Sequence, residues 1–160
     1  MFSDPDGFPT DVGLISEAGL PAVADPGAQL VALCHIHGIQ VVPMVGPSSL
    51  TLALMGSGLN GQSFAFCGYL PAKTDERRKA IREIERRSSQ LNQTEIFIET
   101  PYRNDSMMAD LLAALQPKTR LCIAADITLP EETILTKTVK EWQRNGFQIG
   151  KRPCVFLILA

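Results

Sequence analysis

Short apolar runs bounded by proline, glycine and polar clusters alternate with longer segments of helical period, a pattern that predicts an α/β protein. An apolar run at 12–15 is followed by a loop at 16–27, a helical segment at about 27–37 stopped by Gly38, and a second run at 40–45. This order predicts a β-loop-α-β unit with parallel strands and a right-handed crossover. Residues 50–58 form an apolar helix preceded by Gly46, Pro47, Ser48 and Ser49, either serine being suited to cap it. Because this helix is apolar nearly all round, it is expected to be buried between layers or between two domains.

Further along, 63–69 reads as a strand, with Phe64, Phe66 and Gly68 on one side and Ala65, Cys67 and Tyr69 on the other. Residues 74–89 place many charges around Ile81 and Ile84, which predicts a helix with a narrow apolar stripe. Its basic-leaning face reads first as solvated surface and second as a phosphate contact. Strands at 94–98, 121–125, 133–139 and 153–159, a helix at 105–115 and a short one at 140–143 around Trp142 complete a mixed sheet with flanking helices. Residues 1–11 have no period and are expected to be a loop or flexible lead-in.

Composition narrows the function only a little. The 160 residues, 45% hydrophobic and 20% charged, suit one globular domain, or one domain plus part of another. A net charge of −2 carries no global signal for nucleic acid, yet a local basic face remains compatible with it. Cys34, Cys67, Cys122 and Cys154 form no C-x-x-C pair, so neither zinc nor a thioredoxin-like motif is indicated, and buried free thiols are expected. With no apolar run of about 18 residues and no secretory leader, the expected location is the cytoplasm.

Candidate chemistry concentrates where predicted strands hand over to helices. The loop at 16–27 carries Gly19, Pro21, Pro26 and Gly27, which set an unusual backbone path and let a ligand approach the main chain. In open α/β sheets such loops lie beyond the carboxyl ends of strands, where ligands collect against helix N-termini. There is no G-x-S-x-G elbow and no phosphate loop of the G-x-x-x-x-G-K type. His35 and His37 lie two apart and point to different helix faces, so no metal site is expected. Glu17, Asp25, Glu99 and Asp126 mark predicted strand ends as a candidate acidic rim, but spacing assigns no catalytic acid or base. Neutral turns of this kind favour an uncharged or zwitterionic ligand with an adenine-sized group.

Four segments in this order resemble the tetrapyrrole methylase family: Ser16-Glu17-Ala18-Gly19-Leu20-Pro21 with Ala24-Asp25-Pro26-Gly27; Val42-Pro43-Met44-Val45-Gly46-Pro47-Ser48; Gly68-Tyr69-Leu70-Pro71-Ala72-Lys73; and Glu99-Thr100-Pro101-Tyr102-Arg103. The likeness runs from about 12 to 159 and is nearest the branch that includes small-subunit rRNA cytidine 2′-O-ribose methyltransferases. It implies a class III S-adenosylmethionine-dependent methyltransferase, usually a homodimer, whose two α/β domains enclose the cofactor. By motif, Glu17, Ala18, Gly19 and Leu20 would contact the methionine end of the cofactor, with Val23 nearby. Ser48 and Ser49 would meet it at a helix N-terminus, and Glu99 and Ile127 would line its pocket. RNA is the implied partner, with Lys73, Arg77, Arg78 and Arg103 as a basic lip, and Glu17 or Asp25 is a candidate base for a ribose hydroxyl.

The chain departs from the rRNA branch at Glu17, where aspartate is common, at Leu20, where a polar residue stands, and at Ala125-Asp126-Ile127-Thr128, which lacks an arginine and a glutamate. Nothing before Val12 resembles the family's opening strand and glycine-rich loop. The expected organisation is therefore an N-terminally truncated one: lead-in 1–11, tail of the N-terminal α/β domain 12–46, interdomain helix 47–59 and C-terminal α/β domain 60–160. Two alternatives stand beside RNA methylation: a tetrapyrrole or other small-molecule methyltransferase, and an inactive, truncated dimerising domain.

Overall fold

The computed structural model describes residues 12–17 and 19–160; the expected lead-in and Ala18 lie outside the described residues. The chain divides into two units, Met1–Ser48 and Ser49–Ala160, each described by itself.

In the first unit, helix α1 spans Ala28–Ile36. Gly38 ends it in the left-handed region at φ 67°, donating its N–H to the His35 carbonyl, while the Ile39 N–H reaches back to the Cys34 carbonyl at 2.8 Å. This paired closure is open to glycine at little cost because it has no Cβ. The strands expected at 12–15 and 40–45 do not form. A strand exists only through ladder bonds to a neighbour, and no described segment of this unit supplies them. Ile15, Val42, Met44 and Val45 accordingly stay exposed.

The second unit is built on a five-stranded sheet of order β1-β2-β5-β3-β4, with β1 at Phe64–Tyr69, β2 at Thr94–Ile98, β3 at Arg120–Ala125, β4 at Thr133–Thr138 and β5 at Cys154–Leu159. β1 and β2 are parallel, while β5 runs antiparallel to β2 and β3, and β4 antiparallel to β3. The carboxyl ends of β1, β2 and β3 therefore emerge at one end of the sheet. All six residues of β5 are buried, as suits a central strand covered on both faces.

Helices α3 at Thr74–Leu91, α4 at Asn104–Ala114 and α5 at Val139–Asn145 enclose one core. Phe97 and Phe156, opposite each other across β2 and β5, stack there with ring centroids 5.6 Å apart. Buried Trp142 donates its indole N–H to the Leu121 carbonyl at 2.9 Å. A capping box at Thr138 and Glu141 starts α5.

Helix α2, Ser49–Ser57, packs on the other face, against β5, β3 and β4. It is not buried all round: only Ala53 and Ser57 are buried, and Met55 is exposed. An uninterrupted apolar sequence has no polar side to fix its orientation, so tertiary contact alone selects the buried stripe.

β1 departs from simple alternation. A bulge between Phe66 and Tyr69 sets Tyr69 opposite Ile98, so Tyr69 shares the α2 side of the sheet with Phe64 and Phe66 rather than the side of Ala65 and Cys67. Gly68, at φ 67°, makes that extra step.

Candidate functional site

The turn that leaves β2 at its carboxyl end is polar. Glu99, with a side chain 0% exposed, directs Oε1 to the Thr100 N–H at 2.7 Å and the Thr100 hydroxyl at 3.2 Å. The same oxygen accepts from Arg103 Nε at 3.0 Å and Nη2 at 2.6 Å. Pro101–Arg103 form a single 3-10 turn, with proline placed where the missing N–H costs nothing. Glu99 Oε2 is buried and has no hydrogen-bond partner among the described residues. A buried acceptor without a donor is rare, and it marks a place where a ligand or water completes the set.

One residue beyond the turn, buried Asn104 donates Nδ2 to the carbonyls of Gly150 and Arg152, at 3.0 and 2.7 Å, and ties the approach of β5 to α4. Its Oδ1 is likewise buried without a donor among the described residues.

The loop after β3 lies at the same end of the sheet. Asp126 and Thr128 both take left-handed φ values, 50° and 73°, on either side of Ile127. A β-branched residue there is strained and persists only where its surroundings hold it. Arg152 does so, donating Nε to Asp126 at 2.5 Å and Nη2 to the Glu131 carbonyl at 2.7 Å and the Thr133 hydroxyl at 3.1 Å. The Thr128 N–H is held by Glu132 at 2.7 Å.

In the first unit the loop at 16–27 is a succession of tight reversals, with left-handed φ at Gly19, Ala22, Ala24 and Gly27. The Val23 N–H donates to the Leu20 carbonyl at 3.2 Å, and the Ala22 N–H to the Pro26 carbonyl at 3.3 Å. A Cβ at Gly46 would lie 3.2 Å from the Leu20 side chain, so glycine lets the turn before Ser48 close onto this loop. Leu20 and the Gly46–Ser48 turn are thus brought together within this unit; Glu17 and Val23 are exposed, and Ser48 is half-buried. In the second unit Ser49 begins α2, and Glu99 and Ile127 emerge at one sheet end on either side of β5.

The expected basic lip separates into different roles. Arg77 is buried, bonded to Asp110 through Nε at 2.7 Å and to the Ala72 carbonyl at 3.2 Å, and Arg78 reaches the other Asp110 oxygen at 2.7 Å. Both fasten α3 to α4, because the buried Asp110 carboxylate requires cationic partners. Lys73 stays exposed beside Glu76, and Arg103 stays at the turn with Glu99. Arg152 and Asn104 escaped the sequence reading because their partners lie tens of residues away.

The expectation of buried thiols holds for Cys122 and Cys154, whereas Cys34 and Cys67 are half-buried. All four are free; burial, then the hydrogen bond to Glu95, pushes Cys67 up to about 11, and burial pushes Cys154 up to about 12. Among the described residues no group of acidic, histidine and cysteine side chains is arranged to hold a metal ion, and no helix is long and apolar enough to cross a membrane.

Comparison with known proteins gives these turns a setting. The sequence profile of the tetrapyrrole (corrin/porphyrin) methylases matches residues 9–143. The chain belongs to the tetrapyrrole methylase family.

Among curated relatives, the ribosomal RNA small subunit methyltransferase I of Neisseria meningitidis serogroup B is 41% identical over 82% of this chain and 44% of its own length. The protein of the same name from Escherichia coli O157:H7 is 37% identical over 92% of the chain and 51% of its own length. The chain therefore spans about half the length of the curated relatives it matches.

Solved family structures share the fold. The methyltransferase CobJ aligns with TM-score 0.58 at 17% identity, over 88% of this chain and 61% of its own. Uroporphyrin-III C-methyl transferase from Thermus thermophilus, complexed with S-adenyl homocysteine, aligns with TM-score 0.53 at 18% identity, over 88% and 62%.

Proposed function

We propose that the chain carries cofactor-binding residues of an S-adenosylmethionine-dependent methyltransferase acting on small-subunit ribosomal RNA. Glu99 carries this reading: in a member of the tetrapyrrole methylase family, a buried carboxylate at a strand's carboxyl end holds one oxygen in place and leaves the other without a donor. Such an acceptor fits a cofactor that bears amino and ribose hydroxyl donors. We assign to the cofactor Glu17, Ala18, Gly19, Leu20, Val23 and Ser48 in the first unit, and Ser49, Glu99 and Ile127 in the second.

S-adenosylmethionine supplies a methyl group already activated by its sulfonium. The chain's own task is then to bind and align rather than to form a covalent intermediate. The tight loop at 19–27 offers backbone groups and small side chains, Glu99 Oε2 accepts a hydrogen bond, and Ile127 contributes an apolar wall that keeps water out. For a ribose hydroxyl acceptor, Glu17 or Asp25 takes the proton.

The names of the relatives support RNA as acceptor over a tetrapyrrole. A cytoplasmic location accords with that substrate and with four free thiols. A homodimer is supported by the exposed Ile15, Met44 and Val45, apolar side chains suited to a second copy.

Titration calorimetry with S-adenosylhomocysteine tests the cofactor: saturable binding is expected, and none at millimolar ligand overturns the proposal. Transfer of a radiolabelled methyl group to 30S ribosomal RNA, rather than to a small-molecule pool, tests the acceptor. Light scattering tests the dimer.

A further inference from the structure

The geometry points to a platform for single-stranded RNA at the carboxyl ends of β1 and β2, built on Tyr69 and Tyr102; this rests on the RNA reading above. The chain has two tyrosines, and both are exposed, 58% and 70%, at the ends of adjacent parallel strands.

Each is set there by a distinct device. The bulge at Gly68 turns Tyr69 out of strict alternation and onto the open side of the edge strand. Tyr102 rides on the 3-10 turn, which Glu99 pins through Thr100 and Arg103. The Arg103 guanidinium lies 5.6 Å from the Tyr102 ring centroid. Neither phenol hydroxyl has a hydrogen-bond partner among the described residues.

A single surface aromatic needs no explanation. Here Tyr102 sits in the turn that holds Arg103 and the buried Glu99 Oε2, which has no donor among the described residues, while Tyr69 ends the neighbouring strand four residues before the exposed Lys73; Arg103 is paired with Glu99 and Lys73 with Glu76. Aromatic faces interleaved with cations suit unpaired bases, which stack on the rings while their phosphates meet the positive groups. A duplex hides its base faces, so the occupant is an unpaired segment, with its acceptor nucleotide near the proposed cofactor residues.

Tyr69 and Tyr102 are tested one at a time as Tyr→Ala, Tyr→Leu and Tyr→Phe in the full chain. The probe is a short fluorescein-labelled single-stranded RNA of mixed sequence, read by fluorescence polarisation, with S-adenosylhomocysteine affinity measured in parallel by calorimetry. Alanine at either position is expected to weaken RNA binding about tenfold, the usual scale of one lost stacking contact. Leucine, which keeps apolar bulk without a π face, weakens it as well, and phenylalanine restores it. The same RNA as a duplex binds more weakly than the single strand, and affinity for S-adenosylhomocysteine does not change.

Alanine variants that bind RNA as the wild type does overturn the platform, as does a loss that phenylalanine fails to restore. So does a wild type that binds S-adenosylhomocysteine but no RNA, or a Tyr69→Ala that changes only the oligomeric state, which would make this a protein contact. A wild type that binds RNA through both rings but no S-adenosylhomocysteine instead sinks the cofactor assignment alone.

Discussion

Glu99→Gln separates the two jobs of one carboxylate. Its Oε1 accepts from the Thr100 amide and hydroxyl and from two nitrogens of Arg103, and an amide oxygen can take that place. What disappears is the charge facing a guanidinium that is 26% exposed. A charge-assisted bond exceeds a neutral one by ~1 kcal/mol in a partly solvated setting. At the other oxygen, a buried acceptor without a donor becomes a buried donor without an acceptor, with no net relief. The chain without ligand should therefore lose ~1 kcal/mol, or about 2–4 °C in Tm for a protein of this size.

Cofactor binding should suffer more. Where Oε2 meets a ligand donor, the glutamine NH2 opposes it donor to donor. The lost bond and the stranded ligand group together cost ~1.5–3 kcal/mol, or about ten- to a hundredfold in Kd. Calorimetry with S-adenosylhomocysteine and a thermal melt measure the two effects separately. If the glutamine variant binds as tightly as the parent, Oε2 does not face the cofactor and the assignment of Glu99 is wrong.

Three further outcomes are expected. Asp110→Ala strands the buried Arg77 and should cost ~3–5 kcal/mol in urea unfolding, whereas Arg77→Met with Asp110→Leu recovers most of it; a single-variant loss below about 1 kcal/mol would show that the pair is not buried. Arg152→Ala releases the loop at 126–132 with its left-handed Asp126 and Thr128, so a loss of ~2 kcal/mol and new proteolytic cleavage in that loop are expected, and an uncut loop would count against the clamp. Cys67 and Cys154 hold their protons more tightly folded than unfolded, where a thiol titrates near 9.0; their contribution to stability is complete below about 9 and is lost as pH climbs through about 11 and about 12. Both should resist iodoacetamide at neutral pH until denaturant is added, and rapid labelling of the native chain would refute the burial argument.

The sequence by itself determined the elements of the second unit and the family. Apolar runs of strand length and charged segments of helical period are local properties, so the five strands of the sheet and α3 and α4 lie within a few residues of their expected places. The turns of the four motifs were equally legible, since proline, glycine and strand-end acids announce themselves over a few residues. Tertiary structure alone decided which side each residue faces and what it touches. Runs at 12–15 and 40–45 carry strand-like sequence, yet no described partner strand completes them. A bulge reversed the side of Tyr69, and a distant Asp110 drew Arg77 from the expected basic lip into the core. Period and capping are written within a few neighbours, but hydrogen-bond ladders, charge pairing and burial depend on groups far apart along the chain, and those meet only once the fold is complete.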